Sequence, residues 1–206
     1  MGASDATSGS GIDLDLGFTL GLGMPFAEAV RWADADGFDF VELLLDGPYA
    51  REEIAGREGI VRELEAGMDL AADLGAETVV VHPSSGAWDL GWSESDCREF
   101  VHAALDDLVP AARDHGLTPC LENIVSSYYD ATAFPALLER YPSASMTFDT
   151  SHAMLAGLSE AEMAAFCREH AARIDHLHLV DTRSGDEHLP VGMGHIEELL
   201  AGLDGG

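Results

Sequence analysis

The stretch LSEAEMAAFCREHAARIDHLHLVDT, residues 158–182, joins a helix-like segment to a strand-like segment. In its first part apolar residues recur every three or four positions, which predicts an amphipathic helix, and Ser159 stands where the N-cap of that helix belongs. Its last part, HLHLVDT (176–182), is a short apolar run, which predicts a strand. His178 lies in that run and has a side chain that can bind a metal. The stretch therefore predicts a helix that leads into a strand with a residue able to bind a metal.

The same order of segments is repeated along the chain. Short apolar runs predict strands at GFTLGL (17–22), FDFVELLL (38–45), ETVVVHP (77–83), LTPCLENIV (117–125), SMTFDT (145–150) and HLHLVDT (176–182). Segments with helical periodicity lie between them, in PFAEAVRWADADG, IVRELEAGMDLAADLG, SESDCREFVHAALDDLVPAARDHG, DATAFPALLERYP and LSEAEMAAFCREHAARI. Alternating strands and helices require a parallel sheet with helical crossovers, so we expect an α/β fold.

The charge of the chain is strongly negative. Its 206 residues include 38 acids against 10 bases, for a net charge of −28, and every base is an arginine. The acids are spread over nearly every segment, which favours a hydrated, halophilic surface over a specific acidic interaction surface. The same charge argues against nucleic acid as a partner, because phosphate binding depends on clustered lysine and arginine.

Cysteine content and hydropathy restrict the class of protein further. Cys97, Cys120 and Cys167 lie far apart without a C-x-x-C motif, so we expect neither a disulfide framework nor a zinc knuckle. No apolar run reaches the roughly 18 residues of a membrane span, and the N-terminus lacks a signal pattern, so we expect a cytoplasmic protein. The polar stretch 1–11 predicts a disordered tail, and residues 12–206 predict a single domain.

Four of the predicted strands end in residues that can bind a metal. His82, Glu122, Asp149 and His178 each follow an apolar run. In an α/β barrel the carboxyl ends of the strands form the rim of the active site, so these side chains are expected to meet there. The alternative is that each one caps a following helix or satisfies a loop.

Five motifs occur in a recognisable order: LEN (121–123), FDTSHA (148–153), HLVD (178–181), DEH (186–188) and VGMG (191–194). Together they resemble the xylose-isomerase-like TIM barrels, a superfamily that joins sugar isomerases and epimerases to the apurinic-site endonucleases. The resemblance implies a barrel of alternating strands and helices with its active site at the carboxyl ends of the strands.

The resemblance also implies a divalent metal. Glu122, Asp149 and His178 match the ligands of the family's central ion, and Glu122 also matches a residue that transfers a proton. Carboxylate and imidazole ligands suit Zn²⁺, Mn²⁺, Fe²⁺ or Mg²⁺, among which the sequence does not choose. The residues that match further metal ligands of the endonuclease branch are His82, His152, Asp186 and His188.

Three further residues are candidates for substrate contacts: Asn123, Arg183 and His176. Arg183 is placed either to hold a substrate phosphate or to face solvent. His176 lies two residues before His178, on the same strand face and one layer deeper, so a role in the core behind the metal is its alternative.

The chain also departs from the family pattern. Complete members have eight strands, whereas six are predicted here, so we expect an incomplete TIM-barrel-like sheet with about six of eight βα units. The linker 46–59 leaves no room for one internal unit, and the chain stops at IEELLAGLDGG (196–206), before the last family strand. In the isomerases that strand carries a second glutamate for proton transfer. An incomplete sheet has open edges, and we expect a homo-oligomer in which another subunit covers them.

The resemblance implies two enzymatic functions and one alternative without catalysis. In a sugar isomerase or epimerase a divalent metal polarises a small open-chain carbohydrate while Glu122 moves a proton between neighbouring carbons. We expect this function, impaired by the absent glutamate. The second function is a metal-dependent phosphodiesterase for abasic DNA. His152, Asp186 and His188 favour it, whereas the net charge, the lack of lysine and the missing early histidine of the family oppose it. The third is a metal-binding protein without catalysis.

Overall fold

The structure is a computed structural model that describes residues 17–19, 40–43, 57–73, 75–83, 93–125, 129–183 and 189–196. Its strands are β1 (Gly17–Thr19), β2 (Phe40–Leu43), β3 (Thr78–Val81), β4 (Thr118–Glu122), β5 (Ser145–Asp149) and β6 (Ile174–His178). Its helices are α1 (Arg57–Asp73), α2 (Glu94–Asp114), α3 (Phe134–Arg140), α4 (Thr150–Leu155) and α5 (Glu160–His170), followed by a 3-10 helix at Ala171–Arg173.

The strands form one parallel sheet in the order β1-β2-β3-β4-β5-β6. Each strand pairs with the next strand in the chain, as in a TIM barrel, and from β2 onward the described residues include helices between successive strands. The α/β fold with a parallel, incomplete barrel-like sheet is therefore confirmed. Within the described ranges β1 and β6 are the two ends of the sheet.

Side chains alternate between the two faces of the strands. Val79, Val81, Leu121, Met146 and Phe148 lie on the face that packs against the helices, where all are buried in the apolar core. The intervening residues therefore point to the opposite face, which is the inside of the incomplete barrel. This alternation sends the last residues of β4 and β5, both acidic, to the inside.

The core lies between the sheet and the helices. Met68 of α1 and Leu105 of α2 are fully buried, as is Phe148, whose ring stacks on Phe166 of α5 at a centroid distance of 5.3 Å. Burial of each such side chain stabilises the fold by roughly 1.5–3 kcal/mol. The apolar face of each helix thus holds it against the strand that it follows or precedes.

Helix ends carry the capping residues that the sequence predicts. The Ser93 side chain accepts a hydrogen bond from the Asp96 amide at the start of α2. At the start of α5 the side chains of Ser159 and Glu162 cap each other's backbone amides, which forms a capping box. After α2 the chain turns at Gly116, whose φ of +80° suits a glycine.

Two differences from the sequence prediction lie next to the predicted site residues. The last strand begins at Ile174 and ends at His178, because its ladder with β5 runs from Met146 to Asp149. A short helix, α4, begins at Thr150 inside a motif that the periodicity does not identify. Asp149 caps it by accepting a hydrogen bond from the His152 amide at 2.7 Å, so one side chain both ends the strand and starts the helix.

Several predictions lie outside the described residues. These are the disordered tail 1–11, the helix in PFAEAVRWADADG, the linker at 46–56, the site residues Asp186 and His188, and the C-terminal segment 197–206. The division into domains and the homo-oligomer stay predictions. None of the helices in the described ranges is long and apolar enough to cross a membrane.

Candidate metal centre

The predicted ligands meet at the carboxyl ends of neighbouring strands. Glu122 is the last residue of β4, Asp149 the last of β5 and His178 the last of β6, while His82 directly follows β3. Asp149 lies opposite His178 in the parallel ladder. Because carboxyl ends of parallel strands share one edge of the sheet, four separate segments contribute side chains to a single site.

Glu122 is at the centre of this group. One of its carboxylate oxygens, Oε2, is 2.9 Å from His82 Nε2, and the other, Oε1, is 3.0 Å from His178 Nδ1. His152 Nδ1 lies 3.6 Å from the same Oε1. Glu122 itself is only 1% exposed. Three imidazoles therefore surround a carboxylate that has almost no access to water.

Asp149 supplies the second buried carboxylate. Its Oδ1 accepts hydrogen bonds from the Ser151 hydroxyl at 2.8 Å and from the His152 amide. Its Oδ2 is buried 3.6 Å from His178 Nδ1 and has no hydrogen-bond partner among the described residues. A buried carboxylate oxygen without a hydrogen bond is costly, so this atom is one that a cation would satisfy.

The geometry of three of these residues fits a divalent ion. Glu122, Asp149 and His178 each offer one ligand atom, and these atoms all lie within 4.8 Å of one another. Two carboxylate oxygens and one imidazole nitrogen this close together form a ligand set that suits a single divalent ion. Two carboxylates buried side by side also require positive charge between them.

The imidazoles keep Glu122 ionised. Burial works to raise the pKa of Glu122, but the hydrogen bonds and positive charge of His178 and His82 hold that pKa well below its usual range. Ionised carboxylate is the form that binds a metal. One layer deeper, burial and then the charge of His178 lower the pKa of His176 to about 4, so His176 is neutral near pH 7.

Backbone and side-chain contacts hold the ligands in place. The Asn123 side chain accepts a hydrogen bond from the Asp149 amide at 2.7 Å and donates one to the Asp149 carbonyl oxygen at 3.0 Å. The carbonyl oxygen of Asn123 in turn lies 2.8 Å from His152 Nδ1. Asn123 is fully buried and thereby ties the end of β4 to the end of β5. A substrate contact by Asn123 stays a prediction.

The structure brings most of the predicted site residues together. The His176 ring packs edge-to-face against the ring of the proposed ligand His178, at a centroid distance of 5.0 Å. His176 Nδ1 lies 3.4 Å from the Thr147 hydroxyl. Arg183 is exposed, beyond the end of β6. The members of the cluster are Glu122, Asp149, His178, His82 and His152.

Two buried residues beside the site have no assigned role in the sequence prediction. The Thr150 hydroxyl donates a hydrogen bond to the Val180 carbonyl oxygen at 2.6 Å and accepts one from the Val180 amide at 3.0 Å. Asp181 is fully buried and accepts several backbone hydrogen bonds. The available signal was an acidic residue directly after an apolar run and shortly before the glycine pair of VGMG (191–194).

Comparison with known proteins gives a family and a fold. A family model described as a xylose isomerase-like TIM barrel matches residues 23–204. A D-tagatose 3-epimerase-like protein is 25% identical, with a TM-score of 0.63, over 86% of this chain and 70% of its own. Comparison with curated protein sequences gives no significant match.

Two further solved structures share the fold at lower identity. D-allulose 3-epimerase from Methylomonas sp. is 19% identical, with a TM-score of 0.62, over 93% of this chain and 80% of its own. Endonuclease IV from Thermus thermophilus is 20% identical, with a TM-score of 0.59, over 92% of this chain and 86% of its own.

Proposed function

This chain belongs to the xylose isomerase-like TIM barrel family, and we propose that it is a metal-dependent sugar isomerase or epimerase acting on a small carbohydrate. The observation that carries the proposal is that Glu122, Asp149 and His178, at the carboxyl edge of the sheet, each offer one ligand atom and that these atoms lie within 4.8 Å of one another. Two of the similar structures are described as epimerases or epimerase-like, which supports the same class of reaction.

In this proposal Glu122, Asp149 and His178 hold the divalent ion, which supplies Lewis-acid polarisation of a carbonyl and its neighbouring hydroxyl. Glu122 is also the residue proposed to take the proton from the carbon beside the carbonyl. Its Oε2 contacts only an imidazole, His82, at 2.9 Å among the contacts described, so this oxygen faces a group able to share a proton. The side chain of His82 is 13% exposed, whereas that of Glu122 is 1% exposed.

Asp149 and His178 are proposed as ligands alone. Asp149 Oδ1 already accepts hydrogen bonds from the Ser151 hydroxyl and the His152 amide, which leaves Oδ2 to bind the ion. The edge-to-face contact with His176 sets the plane of the His178 ring. Fixed ligand orientation of this kind raises metal affinity.

The test is exchange of a substrate proton with solvent. The parent protein, Glu122→Gln and the control Glu139→Gln, an exposed residue of α3, are incubated with a panel of ketoses in D₂O and a divalent metal. We expect metal-dependent deuterium uptake next to the carbonyl in the parent and the control. Glu122→Gln should keep its fold and lose the uptake.

Two outcomes would contradict the proposal. Metal binding without exchange into any ketose would favour a metal-binding protein without catalysis. No metal binding in the parent would contradict both hypotheses at once. Metal content of the purified protein is therefore measured first.

A second candidate is a metal-dependent phosphodiesterase, favoured by one observation. His82 and His152 extend the cluster beyond a single-ion site, with ring centroids 6.2 Å apart on two sides of Glu122. Additional imidazoles suit a site that shares the charge of a phosphate among several ions. The net charge of −28 opposes a nucleic-acid substrate.

Cleavage of an abasic-site duplex separates the two candidates, with His188→Ala beside Glu122→Gln. An isomerase should depend on Glu122 far more than on His188, which matches a ligand of the endonuclease branch. Robust cleavage of the duplex that is lost equally in both variants would overturn our first choice.

A further inference from the structure

Asp181 has an unusual environment for an acidic residue. It is fully buried, three residues after the proposed ligand His178. Its carboxylate has no cationic partner among its described contacts and is surrounded by backbone N–H groups. The five donors are the amides of Thr182 (2.8 Å), Gly192 (3.0 Å), Gly194 (2.7 Å), His195 (2.8 Å) and Ile196 (2.9 Å).

Four of these donors belong to one loop, residues 189–196. Successive backbone N–H groups that converge on one point form a nest, which is an anion-binding site in many proteins. Here the anion is the chain's own side chain. The N–H groups also decide its ionisation: burial works to raise the pKa of Asp181, but the hydrogen bonds from Ile196, Gly194, Thr182 and His195 lower it.

Two glycines make the nest. Gly192 has a φ of +84°, in the left-handed region that favours glycine. At Gly194 a Cβ atom would collide with the Asp181 carboxylate and with the Thr182 carbonyl oxygen, so no other residue fits without moving the loop. The loop is therefore shaped to close on a carboxylate.

The same residue is connected to the proposed metal ligands. Asp181 and Leu189 exchange two backbone hydrogen bonds, of 2.7 and 2.8 Å, which hold the loop against the end of β6. Val180, the preceding residue, exchanges two hydrogen bonds with the Thr150 hydroxyl. Thr150 directly follows Asp149. The Asp181 carboxylate thus lies next to the point where the segment after β5 is hydrogen-bonded to the segment after β6.

We propose that Asp181 is a positioning residue: its carboxylate fills the nest of loop 189–196 and thereby fixes the end of β6 that carries His178. The inference rests on the proposed function in one respect, namely that His178 binds a metal. Asp181 touches neither the ligand atoms nor a substrate in this arrangement. It acts through the backbone of Val180 and through the loop.

The experiment replaces the carboxylate and then returns it as a free anion. Asp181→Ala removes the group and leaves space for formate, whose two oxygens can accept the same N–H bonds. Asp181→Asn keeps the size of the side chain but turns an amide N–H₂ toward N–H donors and leaves no room for formate. The control is Asp175→Asn, an exposed residue of β6 three positions before His178. Co²⁺ affinity, the Co²⁺ absorption spectrum and the melting temperature are measured in potassium formate and in KCl at equal ionic strength.

We expect Asp181→Ala to bind Co²⁺ roughly 10- to 100-fold more weakly than the parent, with an altered spectrum, as for other residues that orient metal ligands. Formate should restore both the affinity and the melting temperature of Asp181→Ala. It should restore neither in Asp181→Asn, and Asp175→Asn should resemble the parent in both salts. If Asp181→Ala does not fold in KCl, its refolding yield in formate is measured instead.

Parental Co²⁺ affinity in Asp181→Ala would overturn the inference, as would a loss that formate does not repair. Failure of the proposed function is distinguishable, because a parent protein that binds no Co²⁺ contradicts that function directly. In that case formate-dependent stability of Asp181→Ala still supports the role of the carboxylate in holding the loop, and its absence overturns that role.

Discussion

Two carboxylates and three imidazoles share a site almost closed to water, and most of their polar atoms contact one another. Glu122 and Asp149 are 1% and 0% exposed, and His178 Nδ1 lies within 3.6 Å of both. Like charges buried at such distances repel strongly, because little water screens them. Protonated imidazole can offset part of this charge, and a divalent ion can offset all of it.

A change at Asp149 should therefore abolish metal binding. Asp149→Asn keeps an oxygen for the cap of α4 and loses the charge, so we expect the fold to persist while metal content falls to background. The parent should gain about 2.7 kcal/mol in free energy of unfolding when free metal is a hundredfold above its dissociation constant, and the variant should gain nothing. Metal analysis and thermal shift in high salt measure both. Equal metal content in Asp149→Asn, the parent and the exposed control Asp107→Asn would contradict the assignment.

Asn123 provides a second prediction at this scale. Asn123→Ala leaves the buried N–H and C=O groups of Asp149 without the partners they have in the parent. Each unsatisfied buried group costs about 1–3 kcal/mol, so we expect a clear fall in the free energy of unfolding measured with urea. Metal affinity should fall too, because the backbone that carries Asp149 is released. Unchanged stability would show that water replaces the amide.

At the scale of elements, capping side chains fix where helices α2, α4 and α5 begin. In α5 the capping box of Ser159 and Glu162 precedes an apolar face with Met163 and Phe166, and the chain then enters β6. The helix is short, at 11 residues. Isolated helices of this length are marginal in water, so α5 depends on its cap and on packing against the sheet.

Ser159→Ala tests this dependence. The substitution removes the acceptor for the Glu162 amide and should lower the free energy of unfolding by about 1 kcal/mol, as is usual for an N-cap serine. Ser143→Ala, an exposed serine in the turn before β5, is the matched control and should change stability little. Urea denaturation measures both. Metal affinity should be the same in the two variants, since neither moves the ends of the strands; a selective loss in Ser159→Ala would mean that the helix positions His178.

The whole molecule carries its charge without a compensating cluster of basic residues. A net charge of −28 on 206 residues repels itself at low ionic strength, and arginine alone supplies the positive charges. Several of those arginines are already paired at the surface, as Arg98 is with Glu94 and Arg140 with Asp106. Exposed pairs of this kind contribute little stability, so screening by salt is the main effect that weakens the repulsion among the acidic residues.

We therefore expect the melting temperature to fall as KCl is lowered from molar to tens of millimolar concentration, where the Debye length grows from roughly 3 Å to well over 10 Å. The same curve in NaCl is the control, because screening depends on ionic strength rather than on the cation. A melting temperature that stays constant across the range would contradict the interpretation of the charge as an adaptation to salt.

Much of this organisation follows from local patterns in the chain. Short apolar runs predict all six strands, and hydrophobicity with a period of 3.6 predicts the helices between Arg57 and His170 apart from α4, because these patterns reflect what each element buries. The candidate metal ligands at strand ends can also be recognised in the sequence, since the carboxyl ends of parallel strands in an α/β fold lie at one edge of the sheet. Resemblance to the xylose-isomerase-like barrels adds the order in which these residues occur.

The sequence by itself therefore determined the α/β class and the candidate ligands at the strand ends, and the resemblance to the family implied the incomplete barrel. Only the tertiary structure decided how those residues are held: Asn123 bonded to the backbone of Asp149, Asp149 capping α4, and Asp181 inside the loop 189–196. The physical reason is that periodicity reports burial of apolar faces, which is a local property. A buried polar group is satisfied by partners distant in sequence, and one carboxylate can cap a helix, bind a metal or fill a nest.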